Sequence, residues 1–258
     1  MTINFHDTKN KESYSKREID PLWTITVSSF IPLTSIRQAA DIGCGGGLYT
    51  KLLAEMGIPS VTGIDSSEVM IAEAMEQSKA FPGVNYQLGS ADGTDLTDNE
   101  LDLVFGRALI HHLPRLEAFF LEARRILKSG GVLLLQDRTP EDCFIEGSRE
   151  HIRGYFFFLL PKLAAIEKSR RFPTEAVIKQ MGKAGFHSIE TITFWETRQT
   201  YAEKQQLLRD LLQRKGRSIL HELSDNELDE LVHRIDQLLP SGPVVEKDRW
   251  TLWKGIKR

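Results

Sequence analysis

Two cysteines in 258 residues, Cys44 and Cys143, are too few for a disulfide framework, and their scarcity fits a reducing compartment. No apolar run approaches the roughly 18 residues a membrane-spanning helix needs, so no membrane partner is expected. The amino-terminal stretch MTINFHDTKNKESYSKRE is polar and lacks the apolar centre of a secretory leader. Basic charge is not in excess either: Lys+Arg 33 stand against Asp+Glu 36, for a formal net charge of −3. A chain that grips phosphate backbones normally shows the opposite balance, so nucleic acid is disfavoured as a partner. There is no internal repeat and no low-complexity tract. No His/Cys cluster has metal-ligand spacing, so no metal is expected. What remains is a soluble, cytoplasmic chain of ordinary globular composition, 41% hydrophobic and 27% charged.

What is present is a rhythm. Short apolar runs at 38–42, 61–64, 84–88, 101–105 and 132–136 alternate with helical patterns. The last run, Val-Leu-Leu-Leu-Gln, is apolar without alternation, as in a parallel strand covered on both faces. Before it, Leu116, Phe119, Phe120, Ala123, Ile126 and Leu127 mark one face of an amphipathic helix that Lys128-Ser129-Gly130-Gly131 is expected to stop. Strand–helix alternation at this spacing implies right-handed crossovers and an α/β, doubly wound parallel sheet. After Asp137 the rhythm breaks. A helix start at Pro173-Thr174-Glu175 and a strand near 187–195 resume it. Ser224 and Glu227 form a capping box ahead of a stripe of Leu228, Leu231, Val232, Ile235, Leu238 and Leu239, and a terminal strand follows near 250–256. The expected organisation is an N-terminal helical segment, 1–36, and a core domain, 37–258, with lid insertions at about 141–172 and 196–247.

The sharpest local signal is Asp41-Ile-Gly43-Cys-Gly45-Gly-Gly47, between the first strand and the helix opening at Leu48. Glycines at such a turn let backbone approach a ligand closely. A dinucleotide fingerprint would need glycine at the position Leu48 occupies, so a nicotinamide enzyme is the weaker reading. Asp41 would repel a pyrophosphate but suits a cationic ligand. Asp65, at the tip of the second strand, can accept both ribose hydroxyls of an adenosine, or can cap the following helix with no ligand at all. Asp92, in Gly89-Ser-Ala-Asp-Gly93, can accept from an adenine amino group or serve a turn.

Asp41-x-Gly43-x-Gly45-x-Gly47, with acids after strands two and three, resembles the class I S-adenosylmethionine-dependent methyltransferases. The segments Phe105-Gly-Arg-Ala-Leu-Ile-His-His112 and Leu127-Lys-Ser-Gly-Gly-Val132 are similar to that family's motifs. The resemblance is specific across 37–137 and coarse beyond. It implies a Rossmann-like, seven-stranded sheet with an antiparallel last strand, and S-adenosyl-L-methionine as cofactor. It also implies residue roles. Asp41 and the glycines lie near the methionine half, Asp65 and Ser66 at the ribose, and Met70, Ala91 and Asp92 at the adenine. Arg107 and Ala108 stand beside the cofactor. An N-terminal segment closes over it, with Tyr14, Arg17 and Trp23 as candidates and Arg17 directed at the cofactor carboxylate.

A sulfonium methyl is already electrophilic, so the protein has to align, exclude water and sometimes remove a proton. His111 and His112, just past the fourth strand, are the candidate catalytic residues; the alternative is that one of them orients a loop. Asp137 either faces the pocket or pairs with Arg138. Tyr155–Phe158 reads first as a buried lid helix, with a substrate-facing aromatic wall as the alternative, and Arg149, Arg153, Arg170 and Arg171 as a solvated face or as receivers of an anionic substrate. Gly106-Arg-Ala-Leu is not the Pro-Pro-aromatic motif of adenine or glutamine amino methylation. Neither cysteine is placed as in a cytosine-C5 enzyme. The expected function is methyl transfer to O, N or C of a small molecule. The alternatives are tRNA or protein methylation, or a non-catalytic S-adenosylmethionine-binding regulator.

Overall fold

The computed structural model describes residues 19–258. Its centre is a seven-stranded sheet in the order β3-β2-β1-β4-β5-β7-β6. The strands are β1 (Gln38–Ile42), β2 (Ser60–Asp65), β3 (Val84–Leu88), β4 (Leu101–Arg107), β5 (Leu127–Asp137), β6 (Phe186–Tyr201) and β7 (Val244–Lys257). The first five are parallel, and β7 runs antiparallel to both β5 and β6. The helices that position the site are α1 (Pro21–Phe30), α2 (Leu48–Glu55), α3 (Glu68–Gln77) and α4 (Leu116–Ile126). After β5 come α5 (Pro140–Cys143), α6 (Ile152–Leu159), α7 (Pro161–Arg170) and α8 (Thr174–Lys183), then α9 (Lys204–Leu212) and α10 (Asp225–Leu238) between β6 and β7. No described helix is long and apolar enough to cross a membrane.

Three apolar clusters hold the molecule together. One covers a sheet face with Phe119, Phe120, Ile126, Val177 and Met181 of α4 and α8. A second covers the opposite face with Trp23, Val27, Tyr49 and Leu53 of α1 and α2. The third lies away from the first five strands, where Ile152, Phe156, Leu163, Leu207, Leu231 and Ile235 join helices from both late segments. Fully burying each such side chain contributes about 1.5–3 kcal/mol, so the late helices have their own reason to pack together.

Several boundaries differ from the periodicity reading. Helix α4 stops at Ile126, and Leu127 pairs with Leu101 as the first residue of β5, ahead of a register shift at Leu101/Leu103. Gly130 lies within β5 at φ 79°, so the glycines shape a bulge there and do not cap the helix. The β6–β7 pair is longer than expected, running from Phe186↔Lys257 to Tyr201↔Val244. Helix α10 starts with the reciprocal Ser224/Glu227 capping box, but Leu238 is half exposed because the helix ends there and Leu239 turns inward instead.

Candidate active site

Strand order reverses at β1, whose neighbours are β2 on one side and β4 on the other. Carboxyl ends at such a switch point leave a crevice, the usual ligand position in α/β folds. Here it is a cavity of about 630 Å³, a size typical of small-molecule sites.

The glycine loop forms one wall. Gly43 and Cys44 both donate their N–H to Ile64 O, at 2.7 and 3.0 Å, which pins the loop to the end of β2. Gly45 has φ 52°, and a Cβ placed on it would meet nothing within 4 Å, so its backbone is bare toward the cavity. Gly47, at φ 77°, is different. A Cβ on it would collide with the Tyr86 hydroxyl, so the turn packs here only around glycine, and unlike Gly43 and Gly45 it is not on the cavity wall.

Asp41 is buried and accepts from Thr50 Oγ1 at 2.7 Å. Burial first, then the charge of Asp65, push its carboxyl up to about 7 against that hydrogen bond. The native state therefore holds a proton that the unfolded chain has released. Stability from this group is present below the unfolded carboxylate range, about pH 4, and is lost as pH rises toward 7. Between pH 4.5 and 8, Asp41→Asn is expected to gain about 3 kcal/mol relative to wild type, read by urea unfolding. A pH-independent difference would refute it.

Asp65 accepts from Gly45 N–H through Oδ2 and from Ser67 N–H through Oδ1, both at 2.9 Å. The α3 cap is Ser67, whose hydroxyl accepts from Met70 N–H, so Asp65 braces the loop and is not the helix cap. Ser66 is exposed, Met70 buried, Ala91 half-buried and Asp92 exposed, and all four line the cavity. Asp92 Oδ1 already takes the Ser90 hydroxyl at 2.6 Å.

Arg107 lies on the cavity wall, stacked at 4.4 Å on Tyr49 and 4.3 Å on Trp250. Its Nε donates to Gln136 Oε1 at 3.1 Å and its Nη2 to Glu196 Oε1 at 2.6 Å. Burial works against the guanidinium charge, but Glu196 outweighs it and holds the group protonated. The same Gln136 oxygen accepts Trp23 Nε1–H at 2.6 Å. Trp23 is thus a core residue, and none of residues 19–36 lines the cavity. Tyr14 and Arg17 lie outside the described residues. Ala108, next along, has φ 51°, a left-handed conformation costly for a residue with a Cβ. Its N–H reaches Gln136 O at 2.8 Å.

His111 and His112 both line the cavity, with ring centroids 3.9 Å apart. His111 Nδ1 meets Asp137 Oδ2 at 2.9 Å, and Asp137 also contacts Arg171 at 2.6 Å. Burial and the Arg171 charge lower His111 to about 3 despite Asp137, so its ring is neutral through the physiological range. Burial opposes charge on Asp137 too, but His111 and Arg171 outweigh it and hold the carboxyl well below its usual range. His112 is also lowered, by burial first.

The late helices close the far side. Arg153 of α6, with Gly216 and Ser218 from the segment after α9, reaches the cavity. The other arginines of that group do not line it. Arg149 donates to Pro243 O, Arg170 pairs with Glu167, and Arg171 is locked between Asp137 and Glu167. Phe156 and Phe157 are buried in the late-helix cluster and Phe158 is exposed, so 155–158 contribute nothing to the cavity wall. Sequence reasoning missed Gln136, Glu196, Asp248 and Trp250. No apolar alternation marks Asp248 and Trp250, because the buried face of β7 carries Glu246 and Asp248 between Val244 and Trp250.

Residues 40–135 match a family model described as a methyltransferase domain. Over 107 residues the chain is 37% identical to trans-aconitate 2-methyltransferase of Rhizobium rhizogenes, covering 41% of this chain and 40% of that protein. Over 150 residues it is 27% identical to demethylmenaquinone methyltransferase of Tropheryma whipplei, covering 58% and 61%. The chain thus spans only part, about half, of the length of the curated relatives it matches. Among solved structures, phosphoethanolamine N-methyltransferase 2 of Haemonchus contortus with S-adenosyl-L-methionine superposes with a TM-score of 0.61 at 21% identity. That match covers 99% of this chain and 60% of the other.

Proposed function

We propose that this chain, whose residues 40–135 match a methyltransferase-domain family model, is a cytoplasmic S-adenosylmethionine-dependent methyltransferase acting on a small-molecule acceptor. The observation that carries the reading is one cavity that joins the bare Gly45 backbone, Asp65, Met70 and Asp92 to a second set of groups, Arg107, His111 and Arg153. The first set fits the cofactor. Each Asp65 oxygen accepts one backbone N–H and keeps a further lone pair for a ribose hydroxyl. Asp41, Gly43, Gly45, Ser66, Ala91 and Arg107 would complete its contacts. Arg17 remains a candidate for the cofactor carboxylate. In this reading the insertions at about 141–172 and 196–247 form the acceptor-binding cap of the 37–258 core.

When bound, S-adenosylmethionine supplies an electrophilic methyl group. The chain orients the acceptor toward it, keeps water out and receives a proton where the acceptor must lose one. Asp137 holds the proton of His111 on Nδ1, which leaves Nε2 as a hydrogen-bond acceptor. A ring lowered to about 3 aligns the acceptor better than it stores a proton. His111→Ala is therefore expected to lower kcat by about 10- to 100-fold, below the usual general-base contribution, with S-adenosylhomocysteine affinity within about twofold. Equal kcat in variant and wild type would remove His111 from the reaction. His112 is tested the same way.

The defining experiment incubates the protein with methyl-labelled S-adenosylmethionine and a pool of small metabolites. Label in a small-molecule product supports the reading. No cofactor binding at hundreds of micromolar overturns it, and label found only in tRNA or protein moves the chain to the rival class.

A further inference from the structure

We propose that the acceptor carries a compact oxyanion, a carboxylate or phosphate group, received by Arg138 and Arg153 where β7 and α6 wall the cavity. The inference rests on the methyl-transfer reading of that cavity. Both arginines line it. Arg138 lies 4.3 Å over the Trp250 ring and donates Nη1–H to Asp248 Oδ2 at 2.8 Å, while its buried Nε has no hydrogen-bond partner. Arg153 donates Nε–H to the other oxygen of the same carboxylate, Asp248 Oδ1, at 3.0 Å. One aspartate is therefore divided between two guanidinium groups. Behind them, Arg171 spans Asp137 and Glu167, and Glu167 is shared by Arg170 and, at 3.6 Å, by Arg153 itself. Four arginines thus surround three carboxylates, and the adjacent His111 is neutral.

A surplus cation in a buried network is costly unless something compensates it. Burial and the nearby Arg153 charge lower Arg138 to about 10, the direction expected of a guanidinium short of anions. Two of the four arginines face open volume, so the compensating charge has room to arrive with a ligand. An oxyanion there takes donors in the forked geometry that guanidinium groups offer. A cationic acceptor would meet the same two arginines and be repelled.

The test uses the protein saturated with S-adenosylhomocysteine and titrates it calorimetrically with inorganic phosphate, benzoate, the uncharged benzamide and the cationic benzylamine. Phosphate or benzoate is expected to bind, and the stronger of the two identifies the oxyanion class. Benzamide and benzylamine should be at least about 10-fold weaker. Arg138→Gln should lose about 10-fold for the anion and keep S-adenosylhomocysteine affinity within about twofold; Arg153 still covers Asp248 in that variant, so it should fold. Arg138→Lys, which keeps the charge but loses the fork, should fall between. The proposal is overturned if neither anion binds at up to tens of millimolar, if the neutral or cationic probe binds as well, or if Arg138→Gln binds the anion like wild type. Failure to bind S-adenosylhomocysteine at the outset would instead overturn the methyl-transfer reading.

Discussion

Asp65→Ala is expected to weaken S-adenosylhomocysteine binding by about 100-fold or more. In the proposed function the carboxylate accepts two ribose hydroxyls, and hydrogen bonds to a charged group contribute about 1.5–3 kcal/mol each. The same two oxygens hold the Gly45 and Ser67 amides, so truncation also frees the loop that shapes the cofactor wall. Asp65→Asn keeps one acceptor oxygen and should lie between the alanine variant and wild type. Asp92→Ala should cost only about 10-fold, because Asp92 is exposed and already shares Oδ1 with Ser90. Calorimetric titration ranks the three, with thermal melting to confirm that each is folded. Wild-type affinity in folded Asp65→Ala would remove the ribose assignment.

Arg171→Leu is expected to destabilise the chain by about 3–5 kcal/mol at pH 7, because it leaves Asp137 and Glu167 as buried charges without their shared partner. Arg171 is 1% exposed, so water cannot take over its role. The pH dependence has a definite sign. Asp137 and Glu167 are both lowered in the native protein, so their contribution is present above the unfolded carboxylate range, about pH 4, and fades as pH falls below it. Without Arg171 the two carboxyls rise and take up protons in the variant first. The gap between variant and wild type should therefore narrow from pH 7 toward pH 4.5. The same change removes a repulsive charge from His111, whose basicity should increase. Urea unfolding and histidine proton NMR read both effects; a gap that widens on acidification contradicts the ion-pair account.

The half of the cavity proposed for the cofactor is legible in the sequence because it is local. Asp41, Gly43, Gly45, Asp65 and Asp92 all sit at or just past the ends of the first three strands, where apolar runs mark the strands. The other half is assembled from distant pieces. Arg107, Gln136, Glu196 and Trp23 share one hydrogen-bond cluster across the length of the chain, and no motif links them. The last two strands were read too short for a related reason. On β7 the buried face carries Glu246 and Asp248, so an apolar alternation test fails where the structural alternation continues. Glu196 stands directly opposite Asp248 in the β6–β7 register, a pair of like charges that would be unfavourable without Arg107, Arg138 and Arg153. Arg153 was flagged from sequence with Arg149, Arg170 and Arg171, but only geometry separates the one that reaches the cavity from the three that do not.

The β6–β7 pair has a mechanical consequence. Helices α9 and α10 are joined to the sheet by strands of 16 and 14 residues, hydrogen-bonded to one another almost throughout. Over 251–256 β7 is also paired with β5, so the two-stranded part is the outer stretch, 194–201 against 244–250, about 25 Å long when extended, a stiff beam and not a string. Gly216 and Ser218 follow α9 beyond its tip, so bending or twisting of the beam carries them with it. Entry and exit of small molecules on that side are then tied to the bending stiffness of a two-stranded ladder, and the register shift at Thr197/Gln199, where no third strand supports it, is its natural point of compliance.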